Sequence, residues 1–207
     1  HMHLFEAFLA AYEATSDPQF MELADDIFHI FESKFFDKNT HTLLEFFDND
    51  WQPDAKTGHL TEPGHMMEWC WLIHWYSRLS GRDVTDYAES LYQTGIRIGT
   101  NNVNGLIVNE VHIQGNITDT SSRLWPQTEY IKANIARAEE GLLGAEEKAA
   151  EMIDRIFSYF LDVPILGGWH DERDFSGNII SISMPSSTFY HIFCVAAEVQ
   201  KYITREN

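Results

Sequence analysis

Four short stretches of the chain hold side chains able to move protons and to grip a polar ligand. They are His3 and Glu6; His65, Glu68 and Trp69; Arg123, Trp125, Gln127 and Glu129; and Tyr190 with His191. A loop stretch, Gly168-Trp169-His170-Asp171, adds a further indole beside an imidazole and a carboxylate. Each of the four reads as the first turn of a helix. A histidine there feels the positive end of the helix dipole, which disfavours the imidazolium. The neutral ring that results is what a general base near pH 7 requires. Two such bases, His65 and His191, with carboxylates nearby to orient them, suit proton transfer at a carbon next to a carbonyl. The faces of Trp69, Trp125 and Trp169 suit the apolar side of a sugar ring, and the Arg, Gln and Glu side chains suit its hydroxyls.

A metal site is the rival reading. His3-x-x-Glu6 and His65-x-x-Glu68 share a helix face and resemble ligand pairs of helix bundles. Their order is the reverse of the helical Glu-x-x-His pair, and abundant tryptophan fits a sugar better, so no metal and no cofactor is expected. His29, His41, His59, His74 and His112 read as structural, as do Trp71 and Trp75 deeper in their helix.

The elements that must carry these groups follow from the hydrophobic pattern. The stretch Thr61-Glu62-Pro63 opens a helix with a capping-type threonine and a proline at the first position. From Met66 to Tyr76 nearly every residue is apolar, so this helix is buried on all sides. Helices are expected over 3–15, 17–36, 63–79, 84–100, 123–141, 144–161 and 187–207, with strand-bearing loops over 37–61, 101–122 and 164–185. The positions His3, His65, Gln127 and His191 are separated by 62, 62 and 64 residues. Each period repeats a buried helix with a polar first turn, a tight turn, a one-faced helix and a long loop, the mark of an internal repeat. Buried and one-faced helices in alternation mean an inner and an outer layer. Parallel inner helices bring their polar first turns to one rim. The expected fold is all-α: a toroid of helical hairpins, with short β-hairpins in the long loops.

Three hairpins and one inner helix make an arc whose flank is open, which suits completion by more chain or a homodimer through that flank. His1-Met2 reads as a cloning remnant and start codon, and residues 1–207 as a single domain that is the later portion of a longer barrel. The chain has 14 basic and 32 acidic residues, a net charge of −18. That offers no basic stripe for nucleic acid or an anionic membrane. No apolar run is long enough to span a bilayer, and Cys70 and Cys194 read as buried thiols, so a cytoplasmic location is expected.

His3-Leu4-Phe5-Glu6, Glu62-Pro63-Gly64-His65-Met66-Met67-Glu68-Trp69, Arg123-Leu124-Trp125-Pro126-Gln127-Thr128-Glu129, Gly168-Trp169-His170-Asp171 and Ser187-Thr188-Phe189-Tyr190-His191 together resemble the N-acylglucosamine 2-epimerase family. The resemblance covers essentially the whole chain, in order. It implies part of an (α/α)6 barrel that acts on a sugar without metal. In such a barrel His65 and His191 match the acid/base pair, His3 lines the site, and Glu68 and Trp125 contact sugar. The reaction it implies removes the proton on C2 of the opened sugar and forms an enediol. Reprotonation yields a ketose or the C2 epimer. Family members are about twice as long, so this chain alone is expected to have little activity.

Overall fold

The computed structural model describes residues 1–205. Seven helices dominate it: α1 (Met2–Thr15), α2 (Pro18–Ile30), α3 (Pro63–Ser80), α4 (Thr85–Gly99), α5 (Leu124–Glu139), α6 (Ala145–Ile156) and α7 (Ser186–Arg205). Two of the outer helices, α2 and α6, end in five-residue π-helical turns, Phe31–Phe35 and Phe157–Leu161. Helices α1, α3, α5 and α7 pack side by side in sequence order as an inner row, and α2, α4 and α6 each pack on the inner helix before them. The result is three helical hairpins and a fourth inner helix, a partial (α/α) toroid.

Local chemistry sets the boundaries. Asp17 accepts the Gln19 N–H at 3.0 Å ahead of Pro18, the first residue of α2. Gly81 ends α3 in the left-handed region (φ 72°), where a residue with a Cβ would be strained. Helices α3 and α5 are buried nearly end to end, whereas α4 and α6 bury one stripe. Phe5, Phe28, Phe31, Trp69 and Tyr76 stack against one another at the centre of the continuous core. At the start of α3 the structure departs from expectation. Glu62, not Thr61, stands at the cap position, and its side chain makes no capping bond. The Thr61 hydroxyl is drawn instead to a carboxylate of the preceding loop.

Eight short strands stitch the loops. Strands β1 (Phe36–Asp37) and β2 (Thr42–Leu43) form a hairpin. β3 (Leu60–Thr61) leads into α3 and pairs antiparallel with β4 (Glu110–His112), which pairs with β5 (Ile117–Asp119). β6 (Ser122–Arg123) leads into α5 and pairs with β7 (Glu172–Arg173), which pairs with β8 (Ile179–Ser181). The segment entering one inner helix is therefore anchored by the hairpin of the following repeat. That arrangement holds successive N-terminal turns at a common rim.

The row is open at its ends. Leu4 on α1 and Phe189 and Phe193 on α7 are exposed, and an apolar groove of about 500 Å³ runs between α6 and α7. Among the described residues no helix is long and apolar enough to cross a membrane.

Candidate active site

The rim carries three imidazoles, each against a carboxylate. His191, in the second turn of α7, places Nδ1 at 2.7 Å from Glu129 Oε1 of α5. Glu129 is fully buried, and its other oxygen lies 2.7 Å from the ammonium of Lys132, one turn along the same helix. Burial alone would push the Glu129 carboxyl up, but Lys132 and His191 pull it below the usual carboxylate range. His65, in the first turn of α3, has Nδ1 at 2.7 Å from Glu45 Oε2. The other Glu45 oxygen accepts the Thr61 hydroxyl at 2.9 Å and the Glu62 N–H at 2.7 Å. His3 of α1 has Nδ1 at 3.4 Å from Glu68 Oε1 and 3.6 Å from Glu6 Oε2.

These carboxylates change the protonation expected from helix position. Burial disfavours the His65 imidazolium, yet the Glu45 bond and the charges of Glu45, Glu62 and Glu68 together outweigh burial and raise its pKa to about 9. His65 is therefore charged at neutral pH, contrary to the reading of a neutral base. Its bond with Glu6 raises His3 as well, against burial. Glu68 is wholly buried and neither of its oxygens has a hydrogen-bond partner; burial and the adjacent Glu129 push its pKa to about 7.

Trp125 joins the pairs. Its ring lies 4.9 Å from that of His65 and 5.4 Å from that of His191, and His3 lies 6.4 Å from His191. The indole reaches this place because Gly64 has no side chain: a Cβ there would stand 2.6 Å from Trp125 Cη2. His65, His3, Glu45 and the edge of Trp69 line a cleft of about 490 Å³. His191, Glu6, Tyr190 and again His3 line a neighbouring hollow of about 540 Å³.

Other candidates from the sequence take different positions. Trp69 is 2% exposed and stacks on Phe31 at 4.5 Å, so most of it is core. Gln127 is buried and engaged with backbone: it accepts the Ile107 N–H and donates to the Ile107 and Arg123 carbonyls, each at 2.8 Å. Arg123 pairs with Asp171 at 3.3 Å, and Asp171 accepts the Thr188 hydroxyl at the start of α7. Trp169 stacks loosely on Phe189 at 6.3 Å, with its indole N–H buried and unpartnered. His74 is a buried core residue whose pKa burial lowers to about 4.

Two groups of this site escaped the sequence reading. Glu45 was visible as one charge inside Leu43-Leu44-Glu45-Phe46-Phe47, and Lys132 as one cation in the buried run Tyr130-Ile131-Lys132-Ala133. Among the described residues, three donor sets have atoms within 4.8 Å of one another: His3, Glu6 and Glu68; Glu45, Glu62 and His65; and Glu68, Glu129 and His191. In the last, the Lys132 ammonium already supplies Glu129 with a positive charge.

The chain thus forms a three-hairpin arc with imidazole–carboxylate pairs on its rim. The chain belongs to the N-acylglucosamine 2-epimerase (GlcNAc 2-epimerase) family, whose model matches residues 1–195. It is 36% identical to the mannose-6-phosphate isomerase of Rhizobium meliloti (strain 1021), over 99% of this chain and 55% of that protein. It is 29% identical to the D-mannose isomerase of Thermobifida fusca, over 84% of this chain and 46% of that protein. Among solved structures, a D-mannose isomerase superposes with a TM-score of 0.83 at 20% identity, covering 97% of this chain and 55% of the other. The cellobiose 2-epimerase of Bacillus thermoamylovorans B4167 superposes with a TM-score of 0.75 at 24% identity, covering 97% and 52%. The chain thus spans about half the length of the relatives it matches.

Proposed function

We propose that this rim transfers a proton at C2 of an aldose, with His65 and His191 as the acid/base pair. The observation that carries the reading is the pair of imidazoles next to the Trp125 ring, 4.9 and 5.4 Å from it, each with Nδ1 on a carboxylate and Nε2 left for a ligand. On the opened sugar, His191 takes the C2 proton through Nε2 and the electron pair passes into the C1–C2 bond as an enediolate. The His65 imidazolium then returns a proton to C2 from the opposite face, giving the epimer. Alternatively the proton returns to C1 while the O2 hydroxyl hydrogen passes to O1, giving the ketose. His3, backed by Glu6 and Glu68, donates to the carbonyl oxygen, and Trp125 bears on the ring or chain of the sugar. Glu129 and Glu45 orient the bases; Arg123, Gln127, Trp69 and Trp169 shape the walls.

The chain alone is expected to turn over slowly, below about 1 per second. The test is exchange of the C2 hydrogen of mannose in D2O, followed by proton NMR. Slow exchange that disappears in His65→Asn and in His191→Asn supports the reading; exchange at the same rate in both variants overturns it.

The open apolar groove on α7 favours a second reading, in which this chain self-associates through its flank and binds sugar without turnover. Sedimentation with calorimetry against hexoses separates the two: a monomer that exchanges C2 supports the first, a silent dimer that binds sugar the second.

A further inference from the structure

Lys132 is a charged group next to the rim that the proton transfer does not use. It sits fully buried in the inner row, its Nζ 2.7 Å from Glu129 Oε2 and 3.7 Å above the ring of Trp71. A lysine is almost never placed so deep without a charge to answer. Here it answers several: Glu129 by contact, and Glu68 and Glu6 through the field they share. Burial disfavours the ammonium, and those carboxylates more than restore it, so its pKa stands above the ordinary value.

We infer that Lys132 is a positioning residue of this site: its ammonium, clamped between Glu129 and the Trp71 face, keeps Glu129 an anion, and Glu129 thereby holds the proton of His191 on Nδ1. An ionised carboxylate accepts only, so the shared proton stays on the imidazole nitrogen facing it and Nε2 keeps its lone pair. Without Lys132 the same environment works against a base. Glu6 and His3 on α1, Glu68 and His65 on α3, Glu129 on α5, and Tyr190 and Cys194 on α7 face this corner. Removing the buried cation leaves the Glu129–His191 pair to neutralise itself by taking up one proton. The pair then carries an imidazolium, or a carboxylic acid, at the pH where it should be free to accept. Trp71, read from the sequence as plain core, gains a purpose as the apolar and electron-rich lid over the ammonium.

The base role of His191 rests on the proposed function, but the charge state does not, so the test reads it directly. The full chain is labelled with 15N on histidine and lysine and titrated by NMR. In the unaltered protein His191 is expected to show a protonated Nδ1 and a bare Nε2, with Lys132 charged at neutral pH. In Lys132→Met, the pH at which the Glu129–His191 pair takes up its proton is expected to rise by about one unit or more. C2 exchange in Lys132→Met should fall about tenfold at neutral pH and recover at higher pH, whereas Lys132→Arg should keep the original titration. An Nε2-protonated His191, a neutral Lys132, or a Lys132→Met titration at the original pH overturns the inference. Should Lys132→Met fail to fold, the tautomer and the lysine charge of the unaltered protein still decide it. Loss of C2 exchange throughout, with the NMR results as expected, would remove the proposed function and leave the role of Lys132 in charge setting intact.

Discussion

At the scale of single residues, His65 and His191 are each answered by a carboxylate already engaged elsewhere. Glu45 shows how this acts. One of its oxygens is held by the Thr61 hydroxyl and the Glu62 N–H, which leaves the other aimed at His65. A carboxylate so fixed pays little entropy to stabilise an imidazolium, which is how a half-buried ring reaches a pKa of about 9. Replacing Glu45 with Gln should bring His65 down, since burial and the helix dipole then act with less opposition; a histidine NMR titration reads the drop. The linkage to stability has a definite sign. The folded value stands above the ordinary 6.5, so the stabilisation is complete below about pH 6.5 and is lost as pH rises through about 9. Thermal melting between pH 6 and 10 should therefore show a decline in stability that Glu45→Gln largely removes. A flat profile in the original protein would count against the pair.

At the scale of elements, the strands before α3 and α5 decide where the chemistry points. Each is pinned by a hairpin from the next loop, and Gln127 fastens the loop at Ile107 to α5 with bonds in both directions. Gln127→Ala would leave the buried Ile107 N–H and carbonyl without partners, at a cost of roughly 1–3 kcal/mol each. Hydrogen exchange should quicken across residues 101–122 while α3 stays protected. Gly64→Ala tests the closest approach between elements, because the new methyl would meet Trp125 and Pro126 below 3 Å. Overpacking of that kind costs about 1–3 kcal/mol in a denaturant melt and should displace the indole from its place next to the two imidazoles. The helices and the 62-residue repeat were readable in the amino-acid order because runs buried on all sides, such as Met66 to Tyr76, leave no polar face. The convergence of His65 with Glu45 was not, since a loop twenty residues upstream meets the helix only once β3 is paired. The charge of His65 was misread for the same reason: the dipole is local and visible, and the carboxylate is tertiary.

At the scale of the whole molecule, an arc of inner helices leaves apolar surface that a closed ring would cover. The face of α7 carrying Ile192, Ala196 and Val199 stands open beside Ile153 and Phe157, with Phe157 62% exposed. Contiguous apolar surface of this kind marks a binding face. Against it works a net charge of −18, which makes two copies repel at low ionic strength. The two effects respond oppositely to salt. Screening shortens the reach of the repulsion to about 8 Å at 0.15 M and about 3 Å at 1 M, while burial of apolar groups is not weakened. Self-association measured by sedimentation velocity should therefore increase with sodium chloride, opposite to what an interface held by ion pairs would do. Ala196→Asp, on the exposed part of the groove and away from the rim, should abolish that increase and lower the binding of an apolar dye, with the melting profile unchanged. Association that weakens with salt, or that survives Ala196→Asp, would place the contact on some other face of the arc.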